Sequence, residues 1–95
     1  MVIQVKGYLT FRPLLPGRRL ELPEQGATLR FVLDALAQEL GEDFQAGIYD
    51  AAHGSLQPSV ILLVNGRHAA HLPSGLDTAL QDGDQIAIFP PIAGG

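Results

Sequence analysis

The sequence predicts an α+β domain, a mixed sheet of four to five strands with one main helix packed across one face. Three observations carry this. The chain opens on a period-two alternation, continues into an amphipathic helical repeat, and closes on three further strand-like runs separated by turn residues. Ninety-five residues with 46% hydrophobic and 17% charged content are enough for one core and too few for a second, so residues 1–95 form a single domain.

Each element follows from its residues. Ile3, Val5, Leu9 and Phe11 alternate with Gln4, Lys6, Tyr8 and Thr10, which makes a first strand with odd positions inward. Pro13 and Pro16-Gly17 break it, and Arg18 to Leu22 returns as a second strand with Leu20 and Leu22 on one face. Leu29, Val32, Leu33, Leu36 and Leu40 then recur at helical spacing, with Thr28 placed to cap the start and Gly41 to end it. From Gly41 to Pro58 the pattern weakens into a loop or short helical turn, anchored by Phe44, Ile48 and Tyr49. Val60 to Val64 reads as a buried strand, Asn65-Gly66 as a turn, and Arg67 to His71 as a short following strand. Leu72 to Leu80 is a connection, and Asp82-Gly83-Asp84 turns the chain into a last strand, Gln85 to Phe89, with Ile86 and Ile88 inward. A hairpin, a crossing helix and a C-terminal strand parallel to the first is the β-grasp order.

Composition excludes several kinds of chemistry. A net charge of -4, and six basic residues that cluster only at Arg18-Arg19, argue against nucleic acid. The longest aliphatic run, Val60 to Val64, is far too short to span a membrane, and the expected location is the cytoplasm. With no cysteine, thiolate metal sites, Cys nucleophiles and disulfides are excluded. His53, His68 and His71 read as surface histidines, so no metal site is expected. Asp77, Asp82 and Asp84 read as turn residues.

The remaining feature is the end of the sequence, Phe89-Pro90-Pro91-Ile92-Ala93-Gly94-Gly95. The two prolines fix extended backbone and project Ile92 to Gly95 away from the sheet. The two glycines lack Cβ atoms and can thread a narrow enzyme channel. Residues 90–95 are therefore expected to form a flexible tail that delivers the Gly95 carboxylate.

Leu62-Leu63-Val64-Asn65-Gly66, Leu76-Asp77-Thr78-Ala79-Leu80 and the run from Asp82 to Gly95 resemble the C-terminal half of MoaD/ThiS-like ubiquitin-like sulfur carriers. Arg12, Leu14, Leu22-Pro23 and the helix fall in the same family order. The Phe-Pro-Pro ending is most similar to the molybdopterin synthase small subunit. That resemblance implies that an E1-like (MoeB/ThiF-like) enzyme uses ATP to adenylate Gly95, with Gly94 beside it, and that the product becomes a thiocarboxylate. The sulfur would pass to a pterin precursor in a large (MoaE-like) synthase subunit, making this chain a cosubstrate with no bound cofactor. Tyr8, His68, Phe89, Pro90, Pro91, Ile92 and Ala93 are the partner contacts it implies. Other acceptors fit the same tail: thiamin thiazole, cysteine or tRNA thiolation, or protein lysines in a modifier. A β-grasp interaction module with an unused tail is the alternative of another class. The sequence departs from the family pattern in a longer stretch from Gly41 to Pro58, an inserted Leu72-Pro73-Ser74-Gly75, and a histidine at 68 where an aliphatic residue is common.

Overall fold

The computed structural model describes residues 1–50, 55–57 and 59–90. Strand β1 (Val2–Gly7) pairs antiparallel with β2 (Arg18–Glu21), as the hairpin reading requires. Helix α1 (Leu29–Leu40) comes next, capped by Thr28, whose Oγ1 accepts from Phe31 N at 3.1 Å, and closed at Gly41 with φ 83°. A second helix, α2 (Glu42–Ile48), leads into a two-stranded ribbon of β3 (Tyr49–Asp50) and β4 (Ser55–Leu56). Then come β5 (Ile61–Val64), β6 (Arg67–His68) and β7 (Gln85–Phe89). The main sheet is ordered β2-β1-β7-β5-β6, with β7 parallel to β1 and antiparallel to β5.

The core lies between one sheet face and the helices. Ile3, Val5, Leu62, Val64, Ile86 and Ile88 point into it from the strands, and Leu29, Val32, Leu33 and Leu36 meet them from α1. The helix repeat thus buries its apolar stripe on the sheet, as periodicity predicts. Leu40 is only half-buried. Arg18 pairs with Glu39 of α1, tying the edge strand to the helix.

Four local expectations change. The first strand, expected to run to Phe11 with Leu9 inward, stops at Gly7, and Leu9–Phe11 forms a 3-10 turn. The chain doubles back so tightly that a Cβ on Gly7 would stand 2.7 Å from the Phe11 carbonyl oxygen, and Gly7 N donates to Leu15 O at 2.8 Å. Phe11 still reaches the core, but Leu9 takes φ 55° and is 56% exposed. Gly41 to Pro58, read as a loop or turn with minor anchors, contains helix α2, and Phe44 and Ile48 are fully buried. Arg67 to His71 is a strand only to His68; Ala69–His71 is a 3-10 turn started by His68, whose Nδ1 accepts from Ala70 N at 3.0 Å. Finally, the Leu72 to Leu80 connection holds a further 3-10 turn at Gly75–Asp77.

The aspartates do turn work. Asp84 Oδ1 accepts from Asn65 Nδ2 and its Oδ2 from Gln81 N, both at 2.8 Å, while Asp82 Oδ1 accepts from Val2 N at 2.7 Å. The Asn65–Asp84 bond, with Gln85 N donating to Asn65 Oδ1 at 2.9 Å, pins the β5–β6 turn, where Asn65 has φ 51°, to the start of β7, and the Asp82 bond ties the turn before β7 to the start of β1. No helix among the described residues is long and apolar enough to cross a membrane.

Candidate functional site

Alternation along the strands leaves one sheet face without a helix among the described residues. Gln4, Lys6 and Tyr8 of β1 and its extension face it, with Gln85, Ala87 and Phe89 beside them on β7 and Ile61, Leu63 and Asn65 on the β5 side. The face is graded along the strands. Gln4, Gln85 and Asn65 make one end polar, whereas Tyr8, Phe89 and Ile61 make the other apolar.

The apolar end is where β7 finishes. Tyr8 N donates to Ile88 O at 2.9 Å, which keeps Tyr8 extended one residue past β1 and sets it beside Phe89. Their rings stack with centroids 4.5 Å apart and planes 7° from parallel, and each is half-buried against the other. Ile61, in register with Phe89 on its other side, is 39% exposed. Lys6 places Nζ 5.2 Å from the Tyr8 ring centre, a cation over an aromatic face at an exposed site. Between Lys6, Tyr8, Leu63, Gln85 and Ala87 lies a shallow hollow, open because Ala87 contributes only a methyl group.

The expected site residues divide three ways. Tyr8 and Phe89 are brought together. His68 lies farther across the sheet, paired with Leu63, with its ring 5.7 Å from that of His71. Pro90 is buried, beside a cleft shared with Thr10, Phe11, Leu14 and Gly47. Pro91, Ile92, Ala93, Gly94 and Gly95 lie outside the described residues, as does His53. Among the described residues no three His, Asp or Glu side chains gather as metal ligands.

Lys6 and Ile61 escaped the sequence reading of this surface, though both had a signal: parity with Tyr8 marks Lys6, and the outward side of the Val60 to Val64 run marks Ile61.

A mixed five-stranded sheet with a helix across one face is the ubiquitin-like β-grasp fold, here in the class of sulfur carriers and modifiers. The chain belongs to the ThiS family, which it matches over residues 10–95. It is 38% identical to small archaeal modifier protein 3 of Haloferax volcanii over 98 aligned positions covering 100% of both chains. It is 32% identical to a candidate sulfur carrier protein of Archaeoglobus fulgidus, covering 80% of this chain and 83% of that one. The crystal structure of SAMP1 from Haloferax volcanii superposes with a TM-score of 0.79 at 26% identity, over 100% of both chains. A candidate molybdopterin converting factor subunit 1 from Pyrococcus furiosus gives 0.71 at 28%, over 97% of this chain and 99% of that one.

Proposed function

We propose that this protein carries sulfur on the Gly95 carboxylate, activated by an E1-like adenylating enzyme and delivered to a large molybdopterin synthase subunit. The observation that carries the reading is the Tyr8–Phe89 stack, an apolar docking point at the end of the strand that leads into the Pro90-Pro91-Ile92-Ala93-Gly94-Gly95 run. Likeness to the converting-factor subunit from Pyrococcus furiosus, and the Phe-Pro-Pro ending, favour the pterin acceptor.

The groups present dictate the chemistry. A carboxylate is a poor acyl donor because oxide does not leave. Attack of the Gly95 carboxylate on the α-phosphate of ATP gives an acyl-adenylate and pyrophosphate. Hydrosulfide-level sulfur then adds to the carbonyl carbon, the C–O bond to phosphate breaks, AMP departs, and a thiocarboxylate remains. With no cysteine in the chain, no thiol is present to carry transferable sulfur, and the terminal acyl group takes that role.

A second reading is favoured by the modifier of Haloferax volcanii, similar to this chain along its whole length. In it the same adenylate is passed to a protein amine.

Intact-mass analysis after incubation with the E1-like enzyme, ATP and a sulfur donor tests the shared step. The expected result is exchange of one oxygen for sulfur, absent when Gly95 is deleted. An unchanged mass with an enzyme active on another carrier sinks the reading. Adding the large synthase subunit and a pyranopterin precursor then separates the two: a pterin acceptor restores the original mass, whereas a modifier keeps its sulfur.

A further inference from the structure

The main sheet ends in β2 on one side and β6 on the other. Strand β6 is two residues long and offers a passing strand little to pair with, whereas β2 runs for four, and among the described residues nothing pairs with its outer side. The hydrogen-bond phase shows which groups that side leaves free. Met1 N donates to Leu22 O at 2.9 Å and Leu22 N to Met1 O at 2.7 Å, so these two residues exchange both bonds. Such pairs alternate along an antiparallel ladder, and the register sets Leu20 with Ile3 and Arg18 with Val5 as the next ones. The backbone N–H and C=O groups of Arg19 and Glu21 therefore point away from β1. Their side chains share the open face, because Arg19 pairs with Gln4 and Glu21 with Val2. Both are exposed, and among the described residues neither belongs to an ion pair, whereas Arg18 on the opposite face is held by Glu39. One free cation and one free carboxylate thus stand on the outward-bonding positions of this edge.

We propose that β2 is a self-association edge, pairing antiparallel with β2 of a second copy about a two-fold axis at Leu20. Arg19 of each copy then lies opposite Glu21 of the other, so that both pairs exchange their backbone bonds and form a cross-strand ion pair, while Leu20 meets its own counterpart at the closer, non-hydrogen-bonded spacing. The charges select this register. Sliding the second strand by two residues either way keeps the hydrogen-bond phase but sets Arg19 against Arg19 or Glu21 against Glu21, and the latter also places Pro23, which has no N–H, opposite Arg19. The axis stands perpendicular to the sheet, so the two sheets join into one and both open faces look the same way. Neither Tyr8–Phe89 stack is covered, and the pairing stands or falls apart from the docking proposed above. Two short strands bury far less than the roughly 800 Å² per partner of a stable dimer, so the association is weak, with a dissociation constant on the order of 0.1–1 mM.

The test follows the full chain by sedimentation velocity and amide NMR spectra from about 0.02 to 2 mM, a range that brackets the expected constant. The expected result is a reversible dimer whose formation shifts the amides of Arg19 and Glu21 more than those of Lys6 and Phe89. R19E and E21R each set like charges opposite one another, and each should raise the dissociation constant about tenfold or more. An equal mixture of the two variants should dimerise again, because the carboxylates of one copy face the cations of the other. R19E/E21R in a single chain should also dimerise, a recovery that damage to the fold could not produce. No association at the highest concentration overturns the proposal, as do single variants that dimerise like the unaltered chain or a mixture that stays monomeric. Shifts centred on Lys6, Tyr8 and Phe89 overturn it too, since copies would then meet through the open face.

Discussion

In the proposed function, Phe89 is the residue on which docking turns. Its ring is sandwiched laterally between Tyr8 and Ile61 at the end of β7, and only Pro90 separates it from the run Pro91 to Gly95. A stacked aromatic pair contributes about 0.5–1.5 kcal/mol beyond the area it covers, and buried aromatic anchors dominate protein interfaces. Phe89→Ala should therefore raise the KM of the adenylating enzyme for this chain about tenfold, the equivalent of about 1.4 kcal/mol. Its kcat should hold, because the reacting carboxylate is six positions farther along. Steady-state pyrophosphate release measures both; a fall in kcat at unchanged KM contradicts the docking role. Parity sufficed to place Phe89 and Tyr8 outward from the sequence. The same rule failed two residues on from Gly7, at Leu9, because alternation describes a strand only while it remains one. The close approach of Gly7 to Phe11, which ends β1, is a tertiary contact that no local pattern announces.

At the scale of elements, the long amphipathic helix and the last strand were legible because each repeats its period several times. Helix α2 was not, since seven residues give it two turns and one apolar pair, Phe44 and Ile48, at i and i+4. That pair is nonetheless central. Phe11 packs on Phe44 with ring centroids 5.4 Å apart, so α2 clamps the β1–β2 loop, which begins at Tyr8. Tyr49, just after α2, ties this corner to α1 by donating to Asp34 Oδ1 at 2.9 Å; burial first, and then Asp34, push its phenol well above the ordinary tyrosine range. Gly47 is where the clamp is tightest. A Cβ there would meet the Phe11 ring at 2.7 Å from Cε1 and Cζ, and Phe11 has Phe44 against it. Gly47→Ala should destabilise the fold by about 1–3 kcal/mol, the usual cost of overpacking a core. Urea denaturation reads this as a lower midpoint at unchanged slope; an unshifted midpoint means the loop yields, and Phe11 is not the lock.

For the whole molecule, element order was enough to anticipate the topology, because a hairpin, a crossing helix and a parallel last strand have one right-handed closure. What element order does not reveal is that the sole lysine shares a face with the Tyr8–Phe89 stack, its Nζ 5.2 Å from the Tyr8 ring centre. On the proposed docking mode, acetylating Lys6 removes a cation from the edge of that contact and leaves the aromatic pair in place. Monomer acetylated at Lys6, given the enzyme, ATP and hydroxylamine, should therefore yield hydroxamate more slowly than unmodified monomer by a factor of about two to five, the equivalent of about 0.5–1 kcal/mol for a cation–π contact at an exposed site. An unchanged rate would place the enzyme away from Lys6, and together with an unchanged KM for Phe89→Ala it would leave the Tyr8–Phe89 stack without a docking role.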